Sequence, residues 1–137
     1  MLRGQCHCGN IAFELESRLA PPELPDRACQ CGFCRAHGAL STSDPDGRVS
    51  INFASPARVT RYRFGTRTAD FLICAECGTY VAAVTNVGGR DYAVLNINTF
   101  DARDAFTAAP QSMDYEGETP DIRRARRAQR WTPATVG

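Results

Sequence analysis

Lysine is missing altogether: every one of the 16 basic residues is arginine. That absence excludes Schiff-base chemistry, a covalently held pyridoxal phosphate and a phosphate-binding loop built on lysine. Histidine is scarce, with only His7 and His37 able to act as neutral-pH imidazoles. The charges nearly cancel, 16 basic against 15 acidic for a net +1, which argues against a dedicated nucleic-acid or membrane-surface protein. No apolar run approaches the roughly 18 residues of a membrane helix. No apolar signal core precedes Cys6, so a soluble chain in a reducing, cytoplasmic compartment is expected. Glycine-rich nucleotide fingerprints, a serine elbow and paired carboxylates for acid–base work are absent too.

Cysteine is abundant by contrast. There are seven in 137 residues, a length that suits a single domain spanning 1–137. In a reducing setting such density points to metal binding or catalysis more than to disulfides. Around the cysteines, apolar alternation marks short strands at Ile11–Leu15, Val49–Phe53 and Arg58–Phe64, and β-forming residues mark others at Phe71–Ile73, Thr79–Val84 and Asp91–Ile97. Gly88-Gly89 reads as a hairpin turn, Ser43–Gly47 as a turn cluster and Ala20–Pro25 as a loop. Six or seven short strands separated by glycine and proline indicate a mainly β fold, a sheet or tent. One helix is expected, capped by Thr119, with Pro120 in its first turn, running to about Arg130 and ending before Pro133. Ala102–Gly117 reads as a loop.

The cysteines form three groups: Cys6 and Cys8, then Cys29, Cys31 and Cys34, then Cys74 and Cys77. Residues two apart on an extended segment share a face, so Cys6 and Cys8 can bind one ion. The spacing of Cys74 and Cys77 lets a tight turn, freed by Gly78, wrap a metal. Two cysteines cannot close a tetrahedral site. Cys6, Cys8, Cys74 and Cys77 together make a four-thiolate structural zinc site, and Cys29, Cys31 and Cys34 remain as a three-ligand site with one open position, the catalytic pattern. Three other readings compete. All seven could be plain buried thiols, His37 could close the second site as a fourth ligand, or the middle group could be a redox pair. His7, between two ligands, is expected on the opposite face.

Gly4-Gln5-Cys6-His7-Cys8-Gly9, Cys29-Gln30-Cys31-Gly32-Phe33-Cys34 and Cys74-Ala75-Glu76-Cys77-Gly78, in that order, resemble the glutathione-dependent formaldehyde-activating enzyme family, also called the centromere-protein-V-like group. The resemblance covers about residues 3–101 and leaves the loop and helix of 102–137 outside it. It implies a β-tent of short antiparallel strands stapled by two zinc ions per chain. Carried over residue by residue, it implies Cys6, Cys8, Cys74 and Cys77 at the structural zinc and Cys29, Cys31 and Cys34 at the second, catalytic zinc. The implied activity is that of a carbon–sulfur lyase, joining a thiol such as glutathione to formaldehyde or a related aldehyde, or the reverse. Its partners would be a small-molecule thiol and aldehyde, with no membrane.

A second class of function rests on Arg123, Arg124, Arg126, Arg127 and Arg130 in the final helix. They suggest a non-catalytic two-zinc binding module that touches an acidic partner or nucleic acid. Against this, their spacing reads as charge spread around a solvated helix that docks through Ile122 and Ala125, with acidic neighbours Asp114, Glu116, Glu118 and Asp121.

Overall fold

A computed structural model describes residues 1–137, the whole chain. It contains eleven strands and two α-helices. In chain order they are β1 (Leu2–Gln5), β2 (Ile11–Glu16), β3 (Arg27–Cys29), α1 (Gly32–His37), β4 (Ser41–Thr42), β5 (Arg48–Phe53), β6 (Val59–Tyr62), β7 (Asp70–Cys74), β8 (Tyr80–Val87), β9 (Arg90–Asn96), β10 (Gln111–Met113), α2 (Pro120–Arg130) and β11 (Thr132–Val136). The fold is mainly β, with one sheet and a C-terminal helix. No helix is long and apolar enough to cross a membrane.

The sheet runs β1-β2-β5-β11-β9-β4-β3-β10 and branches at β9, whose second edge carries β8, then β7, then β6. Most pairs are antiparallel; β11 with β5 and β10 with β3 are parallel. The last strand is therefore central. β11 pairs with β5 through Ala134–Val136 and with β9 through Thr132–Ala134. Sequence reading missed it because Pro133 normally demotes a strand. Here Pro133 comes one residue before the β5 ladder, which begins at Ala134. The stretch read as a loop, Ala102–Gly117, holds a 3-10 turn at Arg103–Ala105 and the three-residue β10.

Alternation builds the main core. Ile11, Phe13 and Leu15 of β2 and Val49 and Ile51 of β5 face Leu72, Val81, Ala82 and Leu95 from the other arm. Strands β8 and β9 are buried on both faces, so β8 reads as a continuous apolar run instead of alternating. The second face packs Ala83 and Val94 against Trp131, which directly follows α2.

The helix itself is docked the other way round from the sequence expectation. Ile122 and Ala125 are exposed, and Arg127 is its buried residue. Arg123, Arg126, Arg127 and Arg130 fall at i, i+3, i+4 and i+7, one face of the helix, and that face turns inward. The ends of α2 do match the sequence reading: the Thr119 side chain accepts from the Ile122 amide, and Pro120 occupies the first turn.

At the outer edge, Gly4 of β1 lies opposite Phe13, whose ring also packs edge-on against Phe100 with centroids 4.8 Å apart. A Cβ on Gly4 would collide with the Phe13 ring and the Thr99 carbonyl oxygen. Gly4→Ala is expected to lower unfolding free energy by roughly 1–3 kcal/mol, as overpacking does in well-filled cores. Urea unfolding followed by circular dichroism checks it, and an unchanged midpoint would remove this close approach from the fold's requirements.

Candidate metal centres and an arginine-lined cavity

Two hairpin tips carry the first and last cysteine groups. Cys6–Gly9 is a turn between β1 and β2, not the extended segment that its spacing suggested. Its backbone closes through Gly9 N–H to the Cys6 carbonyl at 3.1 Å and Cys6 N–H to the Ile11 carbonyl at 2.9 Å, and the Ile11 amide also donates to the Cys6 sulfur at 3.3 Å. The β7–β8 tip is built alike: Gly78 N–H reaches the Cys74 carbonyl at 2.8 Å and Gly78 adopts φ +77°, the left-handed region glycine tolerates.

The tips meet. Cys6, Cys8, Cys74 and Cys77 bring their sulfurs within 4.8 Å of one another, with Cys6–Cys8 at 3.8 Å and Cys8–Cys74 at 3.5 Å. Four sulfurs about 2.3 Å from one tetrahedral ion would stand about 3.8 Å apart, so this donor set fits a zinc-sized metal. Cys77 is drawn down to about 5: burial opposes the shift, and hydrogen bonds from Thr79 and the neighbouring backbone and sulfurs outweigh it. Cys8 is pushed up to about 12, against a bond from the Asn10 backbone, by the Cys74 sulfur and by desolvation. His7 is exposed and outside the group.

The middle group is local. Cys29 ends β3, Cys31 is the N-cap of α1 with its sulfur accepting from the Cys34 amide at 3.4 Å, and Cys34 is buried in the first turn. Their three sulfurs also lie within 4.8 Å, and no fourth histidine, cysteine or carboxylate atom joins them. His37 is not brought to the sulfurs. It is exposed at the end of α1, its ring 4.4 Å from that of Phe33. Cys29 is held down to about 6, first by its hydrogen bond with Cys34, while that same bond and burial push Cys34 up. Cys29 thus gives up its proton readily, while Cys34 keeps its own until a cation takes its place. All seven cysteines are free of disulfides.

A cavity of about 650 Å³ opens beside the trio. Phe64, Phe71, Tyr80 and Trp131 supply apolar lining, and Arg27, Arg123, Arg126, Arg127 and Arg130 supply charge. Burial raises Tyr80 well above the ordinary tyrosine value, helped by the nearby thiols, so it is a phenol at neutral pH. Glu118 anchors the arginine face: it takes Arg126 through contacts of 2.9, 3.0 and 3.1 Å and lies 3.7 Å from Arg123. Arg126 also lies 3.6 Å above the Tyr115 ring. The sequence expectation set none of these five arginines at the trio; the i, i+3, i+4, i+7 spacing of four of them was the signal available.

Glu118 is held below the ordinary glutamate value of 4.5, first by the Arg126 hydrogen bonds, against a burial penalty. A depressed carboxylate stabilises the fold above its unfolded value, and that stabilisation is lost as pH falls through the folded one. Glu118→Gln should therefore cost roughly 1–2 kcal/mol near pH 7. Its melting curve should converge with that of the parent as the pH drops below the carboxylate range. A gap that persists unchanged in acid would locate the effect elsewhere.

The model of the glutathione-dependent formaldehyde-activating enzyme family matches residues 1–117. Among solved structures, a Rhodobacter sphaeroides protein from a structural genomics programme is 28% identical, with a TM-score of 0.60, covering 81% of this chain and 99% of that one. No curated protein matches the chain.

Proposed function

The chain belongs to the glutathione-dependent formaldehyde-activating enzyme family, and on that premise we propose that it joins a thiol, glutathione in the first instance, to formaldehyde or a related aldehyde, or runs the reverse as a carbon–sulfur lyase. In the forward sense the thiol sulfur forms a bond to the aldehyde carbon, the carbon–oxygen π bond opens, and the thiol proton ends on that oxygen. The observation that carries the reading is the trio: three sulfurs within 4.8 Å, no fourth protein donor, and a cavity against them. Cys29, Cys31 and Cys34 would hold a zinc ion there, and Cys6, Cys8, Cys74 and Cys77 a second one that ties the hairpin tips. Zinc with three protein ligands supplies an open position that acidifies a thiol or polarises an aldehyde oxygen.

The chain's own residues do the rest. Phe64, Phe71 and Trp131 keep part of the cavity dry, which strengthens every polar interaction inside it. Tyr80, kept protonated beside the trio, offers a hydroxyl donor and no base. The inward arginines favour a small anionic substrate over a nucleic-acid surface, because the helix face that carries them is turned toward the cavity. Free thiols throughout suit a reducing cytoplasm.

Cys31→Ser separates the roles. It should leave a folded protein that retains about one zinc of two and loses at least roughly a hundredfold in rate, comparable to losing one transition-state stabilising group. Cys74→Ser should unfold the domain, since a structural metal's binding energy is folding energy. Elemental analysis, thermal melting and exchange NMR of glutathione with formaldehyde read the three outcomes. A Cys31→Ser protein that unfolds with its activity would make the second centre structural.

A further inference from the structure

The cavity carries a charge that its own residues do not balance. Of its five arginines, Arg123 and Arg126 share Glu118, but Arg27, Arg127 and Arg130 have no carboxylate within 4.0 Å. Arg127 is the sharpest case. It is 5% exposed, yet its one hydrogen bond runs from Nη1 to the Thr68 hydroxyl at 2.7 Å, and its buried Nε has no partner. Its guanidinium lies over Trp131, 4.8 Å from the ring centroid. Burial lowers its pKa only to about 10, so it stays charged at neutral pH. Arg27 is held toward the same wall. Its Nη1 donates to the Ser43 hydroxyl at 2.9 Å, and Ser43 in turn donates to the Arg130 carbonyl at 2.7 Å. The acidic residues on the cavity rim, Asp114 and Glu116, are exposed and pair with none of these arginines.

A buried guanidinium without a counter-charge is costly, and arginine cannot escape by losing its proton. Its planar fork matches a carboxylate. We propose that Arg27, Arg127 and Arg130 form a carboxylate-binding subsite that selects the thiol substrate by its negative charge. The proposal rests on the thiol-addition reading for what lies at the other end of the ligand: sulfur toward Cys29, Cys31 and Cys34, carboxylate toward the arginines. Two of the three arginines come from α2, beyond the residues 1–117 that the family model matches, so the selection would belong to this chain's C-terminal helix.

The chain's only tryptophan, Trp131, lines the cavity under Arg127 and reports on binding without any turnover. The zinc-loaded protein is titrated with S-methylglutathione, which has the carboxylates and no free thiol, and with its diethyl ester. The expected result is a saturable change in Trp131 fluorescence with the acid, weakened by added salt, and at least tenfold weaker binding of the ester. Arg130→Gln, at an exposed position, should weaken the acid at least tenfold and leave the ester unchanged; Arg127→Lys should retain part of the preference that Arg127→Gln loses. Equal affinities for acid and ester, or an Arg130→Gln protein that still prefers the acid as the parent does, would overturn the subsite. The two proposals fail separately. Catalysis of glutathione and 2-mercaptoethanol addition at equal efficiency, with no acid preference, removes the subsite and keeps the enzyme. Charge-selective binding without catalysis for any thiol removes the enzyme and keeps the subsite.

Discussion

Two turns, 66 residues apart at Cys8 and Cys74, are packed so closely that their sulfurs touch. That contact sets the relation between the arms of the sheet, because each turn is the tip of a hairpin whose strands run into the main core. Cys6 and Cys74 are themselves members of that core, alongside Ile11, Phe13 and Leu72. Four sulfurs in such proximity cannot all shed protons without a cation among them, since each new thiolate raises the next. The geometry of the tips and the chemistry of sulfur therefore impose one requirement on both: a soft positive ion or retained protons. The trio obeys the same rule at shorter range, within six residues and with a cavity on its open side.

The second organising feature is the inversion of α2. A helix usually docks by an apolar stripe. Here the inward stripe is arginine, held by Glu118, Tyr115, Thr68 and Trp131, while Ile122 faces solvent. Amphipathicity alone cannot distinguish a charged face that meets water from one that meets other protein, because the pattern is the same and only the environment differs. The result is a cavity with soft sulfurs on one wall and hard cations on another, the polarity that a molecule with a thiol at one end and an acid at the other would match.

These two features also explain what was legible in the chain beforehand. Strands β2, β5 and β6 show as alternation, β7, β8 and β9 show as runs of β-forming residues because they are four residues or longer and well buried, and α2 shows because Thr119 and Pro120 mark its start. Strands β3, β4 and β10 have two or three residues, too few for any period to register. The six residues of α1 lacked a usual start signal, since its cap is Cys31 and its first position is Gly32. The grouping of cysteines into four and three was readable from count and spacing, and the same sulfurs converge in space. The fate of the arginines was not readable, because it depends on long-range packing of α2 on β8.

Strand β11 occupies the middle of the sheet although it is made from residues 132–136. β5 and β9 therefore stand without a neighbour between them until residues 132–136 are seated. A chain in which β11 is not seated would present two open strand edges to its surroundings, inviting pairing with another copy. Seating β11 is thus the step that closes the sheet, and it ties down α2, which directly precedes it in the chain and packs on β8.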